Sequence, residues 1–248
     1  MMNRIEYTII SGVVMEYQQL ISATFGSNAK TTVEQDILLG EFSYQEQTFA
    51  LCGIVNQASL DNAMSIKLAD FILDTIENHP KRPICIVIDT AGQKVSHNAE
   101  LLGLNSYYGH LIAAFNLARA EGHKIFALVY GKALGGAFIA SALNADYIFA
   151  LKEAQIAVMW LDAMSRVTKV PVEKLEELSK TSAIFAPGAE NYVRLGAVEE
   201  VITTEEFMPR VNALLPATTD IHHWRTQGAS RGGRTLAAKV IADILAAK

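Results

Sequence analysis

Apolar positions along this chain form short unbroken runs, separated by stretches in which they recur every three or four residues. The runs are Asp36–Ser43, Thr48–Asn56, Ile84–Asp89, Ile125–Tyr130 and Tyr147–Ala150. Such short, β-branched runs read as strands, and Ile84–Asp89 as one buried on both faces. Only the polar Tyr44–Gln47 separates the first two runs, which predicts a hairpin. From an N-cap at Asp61, the spacing of Ala63, Ile66, Ala69, Phe71 and Leu73 predicts a helix ending near Pro80. Leu101, Leu104, Tyr108, Leu111, Phe115 and Ala118 predict a long amphipathic helix closed by Gly122. Strand-then-helix units in succession imply a largely parallel sheet with right-handed crossovers.

The rest of the chain is less regular. Val14, Tyr17, Leu20 and Ile21 are spaced for a short helix in an N-terminal arm. Ala163–Lys180 reads as helix around Pro171, with Leu175 and Leu178 inward, and Pro187-Gly188 breaks it. A short helix at Ala189–Leu195, a strand at Val198–Ile202 and a helix at Glu205–Leu214 follow. A polar loop with Gly228, Gly232 and Gly233 leads to a last helix, Thr235–Ala247. This divides the chain into an arm (1–34), a core domain (35–203) and a C-terminal helical extension (204–248).

Composition narrows the function classes. Half of the 248 residues are hydrophobic and 19% are charged, as in a globular domain with an ample core. A net charge of −5 provides no basic field for nucleic acid or an anionic membrane. The histidines lack metal-ligand spacing, and His222-His223 reads as a surface pair, so no metal site is expected. Cys52 and Cys85 each lie within an apolar run and read as buried inert thiols, which suits a reducing cytoplasm. The N-terminus lacks the pattern of a signal peptide. Ala133–Leu151 is apolar, but Asn144, Asp146 and the glycine pair favour a core helix and strand over a membrane span.

Chemistry concentrates in Val129–Ala150, VYGKALGGAFIASALNADYIFA. Gly131, Gly135 and Gly136 permit a tight turn at the end of a strand, and Ala133–Ala145 reads as the helix that follows. Free N–H groups at a helix start, reinforced by its dipole, suit developing negative charge on a thioester carbonyl. The alternative for these glycines is close packing. The other strand that ends in a glycine turn delivers Thr90-Ala91-Gly92-Gln93. In parallel sheets, sites gather at the carboxyl ends of strands, and both turns lie there.

Residues Gly131–Ala150 resemble the G-x-A-L-G-G-G/A…A-x-x-x-D-x-x-x-A signature of the crotonase superfamily and the acyl-CoA carboxyltransferases. Ile86–Gly103 is similar to the D-T-P-G-A…A-E-x-x-G block of carboxyltransferase subunits, with Ala91 in place of Pro and Gln93 in place of Ala. Asn191–Ile202 resembles the A-x-x-x-G-L-V-D-E-V ending of that fold. Over about 35–202 the chain most resembles the gamma subunits of biotin-independent malonate decarboxylases. The resemblance implies a ClpP/crotonase-like α/β fold, a spiral of β-β-α units with a largely parallel central sheet flanked by helices. It implies a carboxy-lyase that converts a malonyl thioester to the acetyl thioester and CO2 by stabilising an enolate. The Gly136 amide occupies the motif position of the superfamily's oxyanion donor, and Gly135 permits the turn. A second donor or second hole is expected from Ala91-Gly92-Gln93, with Ala91, Gly131 and Lys132 along the substrate. The implied partners are a homologous beta subunit, an acyl carrier protein bearing the acyl group on a phosphopantetheine-type arm, and an acyl-carrier transferase subunit. No cofactor is expected on this chain itself.

Absences sharpen this reading. Hydratases of the superfamily carry Glu three residues after the glycine pair, where this chain has Ile139. Asp162 reads as a helix N-cap, Ser141 as packing, and no serine sits in the turn, so hydration and proteolysis lack their residues. His97, Tyr107, Tyr108 and Lys132 lie near the turns as proton-donor candidates but read first as structural or surface residues. Met159 and Trp160 read as core. Two other functions fit the same turns: a biotin-dependent acyl-CoA carboxyltransferase subunit, and a non-catalytic partner that shapes a homologous chain's site.

Overall fold

A computed structural model describes residues 15–182, 186–217, 223–233 and 235–247. The chain begins with α1 (Tyr17–Phe25) and an antiparallel meander of β1 (Lys30–Glu34), β2 (Ile37–Tyr44) and β3 (Gln47–Leu60). Crossover units follow: α2 (Asn62–Asn78), β4 (Ile84–Gln93), α3 (His97–Leu101), α4 (Leu104–Ala120) and β5 (Ile125–Leu134). Next come α5 (Gly135–Ala140), β6 (Tyr147–Leu151), β7 (Gln155–Ala157), α6 (Leu161–Thr168), α7 (Val172–Thr181) and α8 (Ala189–Leu195). The chain closes with β8 (Glu200–Ile202), α9 (Thr204–Leu214), α10 (His223–Ser230) and α11 (Ala237–Ala246). The sheet runs β1-β2-β3-β4-β5-β6-β8, with β7 paired to β5, and is parallel from β3 onward.

Alternation along the strands builds a core on each face of the sheet. Ile84, Ile86 and Ile88 pack with Leu68 and Ile72 of α2 and Leu111 and Phe115 of α4. Cys85 and Val87 face the other way, toward Leu20 and Phe25 of α1 and Phe207 and Val211 of α9. There Phe42 and Phe49 stack at 4.8 Å, and Phe207 meets Phe25 and Phe149 edge-on at 5.9 and 5.8 Å. Cys52 and Cys85 are buried on opposite faces, and burial pushes the Cys52 thiol up to about 12. Asp61 caps α2 by accepting the Met64 N–H at 3.0 Å.

Several expectations need correction. The single helix expected over Ala133–Ala145 is instead the end of β5, a six-residue helix and a 3-10 turn at Ala142–Asn144. Pairing of Lys132–Leu134 with β7 keeps this segment extended. Trp160, at 37% exposure, and Met159 are not core residues. Trp160 is the N-cap of α6, whereas Asp162 lies in its first turn and pairs with Arg166. Part of the expected C-terminal polar loop is α10, docked on α8 through Arg231, which donates to the Val193 and Val198 carbonyls at 3.0 and 2.8 Å. Leu236, Val240, Ile244 and Leu245 around α11 stay exposed. A boundary at residue 34 falls inside a hairpin, since β1 pairs with β2 and forms one edge of the sheet. His222 and Val14 lie outside the described residues.

Candidate active site

The carboxyl ends of β4 and β5 lie side by side, with Thr90 in register with Ala133. This brings Gly92, Gln93, Gly131, Lys132, Gly135 and Gly136 to neighbouring strand ends. Gly92 has φ +108° and Gly135 φ +53°, backbone angles that L side chains rarely adopt. A Cβ on Gly135 would stand 2.6 Å from Gln93 Oε1, the far end of a flexible side chain, so it is the backbone angle and not the space that calls for glycine here.

The Gly136 N–H, the expected oxyanion donor, donates to Gln93 Oε1 at 2.9 Å. Gln93 therefore contributes a side-chain carbonyl to the turn. The Gly92 N–H is engaged as well, donating to Thr90 Oγ1 at 3.2 Å while Thr90 donates to the Ala58 carbonyl at 2.7 Å. Gly92 thus does not offer a free second donor. Ala91 is exposed, and Lys132 is half-buried with its N–H donating to Asp89 Oδ1 at 2.8 Å.

The Tyr108 ring forms one wall, its Cε2 lying 3.4 Å from where a Gly136 Cβ would sit, and its hydroxyl donates to the Leu60 carbonyl at 2.9 Å. Burial, with Asp61 and Glu100 nearby, pushes this phenol above its ordinary value, so it stays protonated at neutral pH. His97 is exposed at the start of α3, and Tyr107 is half-buried on α4. The wall beyond Gly135 is the stretch after β7, where the Val158 N–H donates to Tyr192 Oη at 2.9 Å. Val158, Met159, Trp160 and Ile139 present apolar side chains to solvent there. Sequence reasoning missed this wall because the apolar run Ile156–Leu161 reads as core, whereas Val158, Met159 and Trp160 stand exposed after the three-residue β7. It also gave no role to Asp89, whose hydrogen-bond partners are distant in sequence.

Among the described residues there is no cluster of side chains able to hold a metal ion, and no helix is long and apolar enough to cross a membrane. The arrangement sets a backbone donor, covered by the Gln93 side-chain carbonyl, at a half-exposed glycine turn beside a half-buried phenol and an apolar wall.

Known proteins resemble this chain in sequence and in fold. The malonate decarboxylase gamma subunit family model matches residues 55–248. The malonyl-S-ACP:biotin-protein carboxyltransferase MADD of Malonomonas rubra is 35% identical over 199 residues, which span 71% of this chain and 68% of that protein. A chain of a Pseudomonas malonate decarboxylase hetero-tetramer, crystallised in complex with coenzyme A, superposes with a TM-score of 0.77 at 20% identity, over 92% of this chain and 97% of that one. Transcarboxylase 12S with hydrolysed methylmalonyl-coenzyme A gives 0.68 at 19% identity, over 80% of this chain and 41% of that one. At these identities the two structures speak to the fold, and both agree with the expected crotonase-like architecture. From the match across 55–248 and the MADD identity, the chain belongs to the malonate decarboxylase gamma subunit family.

Proposed function

We propose that this chain supplies the Gly136 amide as the oxyanion donor with which a malonate decarboxylase removes CO2 from a malonyl thioester. The observation that carries this reading is the Gly136–Gln93 hydrogen bond. A carbonyl oxygen already rests 2.9 Å from the amide, the distance at which a thioester oxygen is held. The substrate carbonyl takes the place of Gln93 Oε1. The bond from the carboxylate carbon to the α-carbon then breaks, and its electron pair flows into the thioester as an enolate. The Gly136 N–H stabilises the enolate oxygen, and a proton delivered to the α-carbon gives the acetyl thioester. Gly135 and Gly92 form the turns, while Ala91, Gly131 and Lys132 border the acyl group.

The acyl group rides on the phosphopantetheine-type arm of an acyl carrier protein, in keeping with the malonyl-S-ACP named for MADD. A homologous beta subunit completes the site, and an acyl-carrier transferase subunit loads the carrier. Solved relatives described as a hetero-dimer and a hetero-tetramer support such an assembly. So do the exposed Ile139, Val158, Met159 and Trp160 beside the turn. The reduced, buried thiols suit a cytoplasmic location.

One observation favours a second reading, since MADD is named as a carboxyltransferase to a biotin protein. In that case the turns pass the carboxyl group to biotin. Carboxyl-labelled malonyl thioester separates the two. The chain alone should release little label, and addition of its partner subunits should restore release that avidin leaves unchanged. Release by the chain alone would contradict the shared site, and avidin-blocked release would establish the biotin reading.

A further inference from the structure

Asp89 lies near the end of the buried run of β4, one residue before Thr90, and is 3% exposed. Both neighbouring strands change register beside it. From Ile54 to Ala58, β3 advances four residues while β4 advances two, from Ile88 to Thr90. Over the same step β5 also advances four, from Val129 to Ala133. Each flanking strand thus bulges at the level of Asp89, and bulges leave backbone groups without ladder partners. In a buried sheet such groups need other acceptors.

Asp89 supplies them. Its Oδ2 accepts the Gln57 N–H at 3.1 Å, and its Oδ1 accepts the Lys132 N–H at 2.8 Å. Gln57 and its neighbour Asn56 both have positive φ, at +52° and +59°, so the bulged stretch of β3 is strained for residues with side chains. Gly131 completes the fit, since a Cβ there would lie 2.3 Å from Asp89 Oδ1. The carboxylate therefore fills the space left by Gly131 and clamps the residue after it.

We propose that Asp89 is a positioning residue for the Gly136 site, its carboxylate replacing the ladder acceptors lost at the paired bulge and so setting where Lys132–Gly136 lies. The proposal rests on the reading of Gly136 as the oxyanion donor. The bulge turns the end of β5 away from a regular ladder, and the clamp fixes that end before it enters the Gly135 turn. Glu16 and Tyr17 at the start of α1, Tyr130 on β5 and Lys132 are the other titratable groups around the carboxylate. Two N–H donors pull its proton affinity down while burial pushes it up, and burial prevails.

Asp146 provides an internal control. It is equally buried, accepts the Ile125 N–H at 2.8 Å and the Arg119 Nε–H at 3.0 Å, and sits at the opposite end of β5. Asp89→Asn keeps one acceptor oxygen but turns an NH2 donor toward the second N–H, so one tie is lost in either flip. In the assembled enzyme, residue-resolved hydrogen exchange should quicken at least tenfold across Lys132–Gly136 in Asp89→Asn and stay unchanged there in Asp146→Asn. Turnover per folded molecule should fall at least tenfold in Asp89→Asn, with KM within threefold, and stay within twofold of wild type in Asp146→Asn. Unchanged exchange across Lys132–Gly136, or unchanged turnover, overturns the proposal. Wild-type protein gives a test that does not depend on the variant folding: the Lys132 amide should be as protected as the ladder amides of Phe126–Val129, and an unprotected amide overturns it. Gly136→Val, assayed alongside, separates the two failures. If it too retains turnover, the site reading has failed; if it alone loses turnover, only the clamp has failed.

Discussion

The two ends of β5 are held by the same device and put to different uses. At the amino end, Asp146 takes the Ile125 N–H and the Arg119 guanidinium, and the strand runs on in unbroken register with β4 and β6. At the carboxyl end, Asp89 takes the Lys132 N–H where the register with β4 has slipped, and the strand ends in a left-handed glycine turn. A buried carboxylate that extends a regular ladder adds stability. One that substitutes for a broken ladder also decides where the following residues go. The difference separates a packing end from a working end within a single strand.

The working end should prove the more fragile. Gly131→Ala places a methyl group 2.3 Å from Oδ1 and 3.0 Å from Cβ of the buried Asp89. Overpacking of this kind costs about 1–3 kcal/mol, and it should also displace Lys132–Gly136. We expect a lowered Tm together with turnover per folded molecule reduced by at least tenfold. A lowered Tm with normal turnover would erase the contrast between the two ends. At the packing end, Asp146→Asn should act on stability alone, by about 1–3 kcal/mol for a buried partner left unsatisfied. Denaturant titration with parallel turnover measurements checks this.

The smallest effect belongs to Gln93. Its carbonyl must leave the Gly136 N–H before a substrate binds, and a neutral hydrogen bond contributes about 0.5–1.5 kcal/mol net. Gln93→Leu should therefore lower KM by about two- to twelve-fold. An unchanged KM with collapsed turnover would instead give Gln93 a direct part in stabilising the transition state.

The same contrast explains how much of the molecule was legible in its sequence. Ile84–Asp89 and Ile125–Tyr130 announce themselves because regular ladders buried on both faces demand continuous apolar runs. The glycines at 92 and 135 were legible because few other residues adopt their backbone angles, and the resemblance is what suggested a role for Gly136. The bulges were not legible, since a register slip leaves no period in the chain. Nor was the clamp, because Asp89 lies 32 residues from Gln57 and 43 from Lys132. The expected helix at Ala133 failed for a related reason: pairing with β7, some twenty residues downstream, overrides the local preference of Lys132–Leu134. Gln93 was expected to offer its backbone turn, whereas its side chain is what meets Gly136.

In the proposed reaction the Gly136 amide holds the oxygen on which negative charge develops. Gly136→Val tests it most directly, measured for turnover and Tm on the same assembled sample. A Cβ there meets Gln93 Oε1 and Tyr108 Cε2 at 3.4 Å, a tight but tolerable contact, so folding should survive. Two further methyl groups should tilt the amide and crowd the carbonyl. Tm should stay near that of wild type while turnover falls by about 10²–10³, the loss typical of one oxyanion donor. Near-normal turnover in the folded, assembled variant would contradict it.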